Sequence, residues 1–244
     1  MSLKLDYLEK PKLNNPVMIA GLPGIANVGK LAVEFLINQL KAKKFLELHS
    51  EYFPEWAIPD AGGIRTLKMD FFHVRPDDMK YDLILTTADA QAATPHGQYA
   101  LTEEILNIAE EHGTTTVSTM AAYVLSMNET RKSHVVGVAT NPKLSKTLKE
   151  KKVKLLDSGV IVGMNGLLPA FAALKGMDGF CLLGVTEGGL LDPNASVDVL
   201  QAMASIVGFS VDTTKLAEHA DSIRSKLPQP QVTEAPEDEV TYIR

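Results

Sequence analysis

Runs of apolar residues alternate along this chain with stretches where apolar residues return every three or four positions. The first kind predicts buried strands and the second amphipathic helices. Pro16–Ala20 reads as a strand, and Val28–Lys41 as a helix with Val28, Leu31, Ala32, Phe35, Leu36 and Leu40 on one face. Phe45–Tyr52 and Ile64–Val74 read as strands, the latter alternating in part. Tyr81–Thr87 is a continuous apolar run, as expected of a strand buried on both faces. Gln98–His112 is a helix whose stripe is Leu101, Ile105, Leu106 and Ile108, with Gly113 as its stop. Strands at Thr114–Ser118 and His134–Ala139, a helix at Lys143–Lys151 and a strand at Ser158–Met164 follow. Leu167–Lys175 is a short helix with Pro169 in its first turn. Gly179–Thr186 is a strand, Ala195–Gly208 a helix capped by Asn194 or Asp192, and Thr213–Lys226 the last helix.

Strands that alternate with helices imply right-handed crossovers and a three-layer α/β/α fold. The sheet is expected to be mostly parallel or mixed, because the early strands within Phe45–Val74 lack an intervening helix. Residues 1–227 show no linker and no internal repeat, so they read as one domain. Residues 228–244 differ: PQPQVTEAPEDEVTYIR carries Pro228, Pro230 and Pro236 and the acids Glu234, Glu237, Asp238 and Glu239. That is the composition of a tail, yet it ends in Val240, Tyr242 and Ile243. Such an ending suits a docking peptide or a segment that packs back onto its own domain.

The stretch VMIAGLPGIANVGKLAVEFLI, Val17 to Ile37, reads as strand, glycine loop and helix. Gly24, Gly29 and Lys30 match G-x-x-x-x-G-K, most of a phosphate-binding loop. The next position should be Ser or Thr, whose hydroxyl holds magnesium, and here it is Leu31. The alternative is that Gly21, Gly24 and Gly29 permit a tight turn and close helix–strand packing. Ligands of open α/β sheets sit beyond the carboxyl ends of the strands. The loops there offer Gly24, Asn27, Gly29, Asp89, Gln91, His96, Asn165 and Glu187 as candidate binding groups. Asp89 and Asn165 also suit turn or helix caps, His96 a plain turn, and Gln91 and Glu187 the satisfaction of buried backbone. No G-x-S-x-G elbow, H-E-x-x-H or G-x-G-x-x-G is present. No catalytic residue, metal site or cofactor is therefore expected.

A net charge of −6 without a basic stripe argues against nucleic-acid binding, since Lys146–Lys154 also contains Glu150 and reads as a solvated helix end. The single Cys181, inside an apolar run, reads as a small core residue and excludes an internal disulfide. MSLKLDYLEK lacks the apolar stretch of a signal peptide, and no run approaches a bilayer span. A cytoplasmic location without membrane contact is the expectation.

Four blocks resemble the proteasome assembly chaperone 2 family, in particular its archaeal members. They are GLPGIANVGKLAVEFLI, DLILTTADAQAATPHGQYALTEEIL, SGVIVGMNGLLPAFA and LLGVTEGGLLDPNASVDVL, in the family's order. In the second block, Gln91, Gly97, Gln98, Tyr99 and Leu101 hold the pattern. The resemblance implies a nucleoside-phosphorylase-like fold, homo-oligomers and a chaperone or adaptor that binds proteasome subunits without chemistry. The other reading is a small-molecule binder or enzyme for a nucleoside-like ligand, using the loops around Asn27, Asp89, Gln91 and Glu187. Archaeal members can end in a hydrophobic–Tyr–any tripeptide that inserts between proteasome α subunits. This chain ends Thr241-Tyr242-Ile243-Arg244, with tyrosine third from the end. The extra residue displaces the terminal carboxylate by about 3.3–3.6 Å. Tyr242 and Ile243 are the candidate partner-binding residues of the tail.

Overall fold

The computed structural model describes residues 3–125 and 133–216. Its strands are β1 (Leu3–Tyr7), β2 (Val17–Gly21), β3 (Lys43–Ser50), β4 (Ala57–Asp60), β5 (Gly63–Thr66), β6 (Lys68–Val74), β7 (Leu83–Ala88), β8 (Thr116–Val124), β9 (Val135–Ala139), β10 (Lys154–Leu155) and β11 (Asp178–Thr186). Its helices are α1 (Val28–Gln39), α2 (Pro95–Glu111), α3 (Pro142–Glu150), α4 (Met164–Leu174) and α5 (Pro193–Val207). Nine strands form one sheet in the order β1-β3-β6-β7-β2-β8-β11-β9-β10, and β4 and β5 form a separate hairpin. The central run β7-β2-β8-β11 is parallel. On one side β1, β3 and β6 add antiparallel pairs, and on the other β9 runs antiparallel to β11. The sheet is thus mixed around a parallel centre.

That centre is parallel because it is covered on both faces. Every residue of β2 and β7 is buried, as crossover helices require. Alternate side chains divide the core. Val17 and Ile19 point to the layer of α1, α3 and α5, where Leu31, Leu36, Leu148, Val199 and Met203 meet them. Met18 and Ala20 point to α2 and α4, among Leu101, Ile105 and Leu168. Three helix starts carry side-chain caps: Thr94 accepts from the Gly97 N–H, Asn141 from Leu144 and Asp192 from Ala195. Asp192, not Asn194, is the α5 cap. Among the described residues no helix is long and apolar enough to cross a membrane.

Four expectations need correction. Ile64–Val74 is two strands in different sheets, parting at the buried Leu67. The Asp89 carboxylate causes the break: it takes the Lys68 N–H at 2.9 Å and both arms of the Arg65 guanidinium. Ser158–Met164 is not a strand. Gly159 and Gly163 hold left-handed φ values of 114° and 82°, which interrupt any ladder. The fourth helix begins at Met164, so Pro169 lies in its interior rather than its first turn. The strand β1 was not anticipated, although Leu3, Leu5 and Tyr7 alternate with Lys4 and Asp6. Of the expected last helix only residues 213–216 are described, and the rest, with Tyr242 and Ile243, lies outside the described residues.

Candidate functional site

β2 sends α1 to one face of the sheet while its neighbour β7 sends α2 to the other. A crevice opens where connections diverge in this way. The glycine loop forms one wall. Gly21 and Gly29 are there for packing: a Cβ on Gly21 would stand 2.1 Å from the Gly29 carbonyl, and one on Gly29 would stand 1.9 Å from the Met120 carbonyl. Gly24 is different, since the nearest atom to a Cβ there is Asn165 Nδ2 at 3.9 Å. Ala26 and Asn27 take left-handed φ near the start of α1. The Asp192 N–H donates to the Ala26 carbonyl, and Asn27 Nδ2 donates to the Leu190 carbonyl at 3.2 Å. The loop is therefore tied to the segment after β11.

Lys30, the lysine of the phosphate-loop pattern, is engaged by the protein itself. Its Nζ donates to the Ala88 carbonyl at 2.8 Å and pairs with Glu34 at 2.7 Å, leaving the side chain 16% exposed. An ammonium held by two partners at the end of β7 is a fastener between α1 and the sheet.

Gln91 joins the two walls of the crevice. Its Nε2 donates to the Pro23 carbonyl at 2.7 Å, and its Oε1 accepts the Met164 N–H at 2.9 Å. It thereby satisfies one of the orphan amides of the α4 N-terminus, which has no side-chain cap of its own. Asn165 follows, in the first turn of α4. Pro169 lacks the N–H that would bond the Asn165 carbonyl four residues earlier. Thr119 Oγ1 supplies the replacement at 2.7 Å. The helix start is thus locked to β8, and the Asn165 side chain is held 5% exposed at the crevice. Its Oδ1 is buried and has no hydrogen-bond partner.

The crevice deepens into a cavity of about 970 Å³. Ile25, Tyr123, Val124 and Val160 are among its walls, and Asp157 is the charged residue among them. Its rim is apolar and open: Ile25 is 54% exposed, Val160 87% and Val162 83%. Of the sequence candidates, Gly24, Gly29, Gln91 and Asn165 line the cavity, whereas Asn27, Asp89 and Glu187 do not. Asp89 serves the Arg65 clamp. Burial pushes its carboxyl up, but the guanidinium and the Lys68 amide outweigh that and hold it below the usual carboxylate range. Glu187 is exposed after β11, and His96 lies edge-to-face against Tyr52 at 5.5 Å. Cys181 is buried, as expected, and burial pushes its thiol up to about 12. Among the described residues no group of three His, Cys, Asp or Glu side chains is placed to hold a metal ion. Sequence reasoning missed Tyr123, Asp157 and the valines at 160 and 162. The signal was the run GVIVG, whose apolar side chains were assigned to a buried strand instead of a rim.

The parallel centre and the split helix layers make this an α/β/α protein with a crevice at the ends of its central strands. The PAC2 family model matches residues 18–230, and the chain belongs to that family. PbaB from Pyrococcus furiosus, an archaeal proteasome activator, superposes with a TM-score of 0.82 at 34% identity, over 92% of this chain and 96% of that one. PbaA from the same organism, an archaeal homolog of proteasome-assembly chaperone, gives 0.75 at 25% identity, over 92% and 90%. An uncharacterized protein of Methanocaldococcus jannaschii is 38% identical over 211 residues, 85% of this chain and 80% of the relative.

Proposed function

We propose that this chain is a non-enzymatic assembly chaperone or adaptor that binds proteasome subunits as a homo-oligomer in the cytoplasm. The observation that carries the reading is the character of the crevice. An enzyme places converging acid–base groups at the ends of its strands. Here Lys30 is consumed by Ala88 and Glu34, Asp89 by Arg65, and the opening is ringed by exposed valines and Ile25. Exposed apolar residues of this kind mark surfaces that meet other proteins. Similarity to PbaB and PbaA supports the same reading and names the partner class.

In this reading Tyr242 and Ile243 anchor the tail in a groove of a proteasome α subunit. The acids at 237–239 steer it to a basic rim, so binding weakens with salt. Purified full-length chain is mixed with proteasome α subunits and the bound fraction is measured at low and high salt. The expected result is co-elution that Tyr242→Ala weakens at least tenfold, as loss of an aromatic anchor does. If neither the intact chain nor the variant co-elutes, the chaperone reading fails. If both co-elute equally, the contact lies elsewhere than the tail.

A further inference from the structure

The cavity contains a group that the adaptor role does not use. Asn165 is 5% exposed and its buried Oδ1 has no hydrogen-bond partner, while Nδ2, the side-chain atom nearest Gly24, donates to none of the described residues. Buried amides are nearly always paired, and an unpaired one lowers stability. Packing does not require an asparagine here, since the helix start is secured by backbone bonds from Thr119 and to Gln91. Beside it Gly24 is uncrowded: its φ of −173° is ordinary extended backbone, and a Cβ would make only ordinary contacts, with Asn165 Nδ2 at 3.9 Å and Gln91 Nε2 and the Leu22 carbonyl at 4.0 Å. An unpaired amide thus stands beside Gly24 in the lining of a roughly 970 Å³ cavity that is otherwise mainly apolar. Ligand pockets typically measure about 300–1,000 Å³ and combine apolar walls with a few polar groups.

We infer that this cavity binds a small neutral ligand with an apolar body and an amide or lactam group, read by the Asn165 amide beside Gly24. The lactam carbonyl accepts from Nδ2 while its N–H is the donor that Oδ1 lacks, and the body lies against Ile25, Val124 and Val160. Anions find no free cation among the described wall residues. The one charged wall residue among those described is Asp157, and the nearby Lys30 is held by Ala88 and Glu34. Nucleotides and other phosphorylated ligands therefore do not fit, whereas an uncharged heterocycle does. The site does not involve the tail, and it shares Ile25 and Val160 with the rim that the adaptor reading uses.

The probe is quinolin-2-one, a neutral lactam on an apolar ring system, with quinoline-2-carboxylate as the anionic counterpart. Full-length protein with labelled methyl groups is titrated with each and followed by NMR. Quinolin-2-one is expected to shift the methyls of Ile25, Val124 and Val160 at millimolar concentration, and the carboxylate to leave them unmoved. Gly24→Leu fills the space beside Asn165 and should weaken binding more than tenfold. Asn165→Leu removes both the donor and the acceptor and should weaken it by more than the roughly three- to tenfold of one hydrogen bond. The inference is overturned if quinolin-2-one leaves the cavity methyls unmoved, if the carboxylate binds as well as the lactam, or if folded Gly24→Leu binds as the parent does. Should either variant fail to fold, the shift map of the unmodified protein decides by itself.

Discussion

Lys30 and Asn165 show how far a residue's type can mislead about its work. In the sequence Lys30 completes a phosphate-loop pattern, and only Leu31 argued against it. In the fold its ammonium bridges the Ala88 carbonyl and Glu34. Lys30→Ala should therefore leave nucleotide turnover at the background of the parent protein and lower stability by about 1.5–3 kcal/mol, the worth of a hydrogen bond to a charged group. Phosphate release with magnesium and ATP, together with urea unfolding, checks both halves. Magnesium-dependent turnover lost in the variant would restore the phosphate-loop reading. Asn165 predicts the opposite sign. Replacing an unpaired buried amide by an apolar side chain of similar size removes a desolvation penalty of about 1–3 kcal/mol. Asn165→Leu should melt at or above the parent, and a clear drop would mean the amide has a partner that matters. The chain offered Asn165 as a candidate binding group, and Leu31 spoke against a phosphate role for Lys30, but the partners of neither side chain were legible. Both depend on atoms brought together from residues 88, 91, 119 and 165, which no local pattern reports.

At the scale of elements, the helices were readable because their stripes repeat over several turns. The stripe Leu101, Ile105, Leu106 and Ile108 of α2 is buried as the pattern requires. β2 and β7 were readable as continuous apolar runs. The misread segments are those where tertiary contacts override a local pattern. Asp89 splits β5 from β6, and GVIVG becomes a rim. A further device lies on β3 and β6, where Lys44 pairs with Glu47 at 2.9 Å and with Asp70 at 2.8 Å, and Lys68 also binds Glu47. Burial pushes the Glu47 carboxyl up, but Lys68 and Lys44 outweigh it and lower it to about 2. A carboxylate whose folded value is depressed contributes stability above its unfolded value of about 4.3. That contribution is lost as pH falls through about 2. Glu47→Gln should cost about 1 kcal/mol at pH 7, discounted for solvent screening. The difference from the parent should shrink between pH 4 and 2. Urea midpoints of both proteins across that range test it, and a pH-independent difference would assign the loss to packing.

The whole molecule poses the question of where the folded unit ends. Its core clusters draw on residues from Val17 to Leu216, and Leu216 is fully buried against the α1–α5 layer. Residues 228–244 carry three prolines, four acids and few apolar side chains, which offers little surface for burial. Truncation after Leu227 should therefore leave the melting temperature within a few degrees of the full chain. It should also leave the Ile25, Val160 and Val162 rim unchanged, because the rim is built from the described domain. Light scattering of both forms at micromolar concentration should then report the same homo-oligomer, while proteasome binding falls only in the truncated one. A monomer in both forms counts against oligomerisation. A fall of many degrees on truncation would place Tyr242 and Ile243 in the domain's own core, and the adaptor tail would become a structural strap.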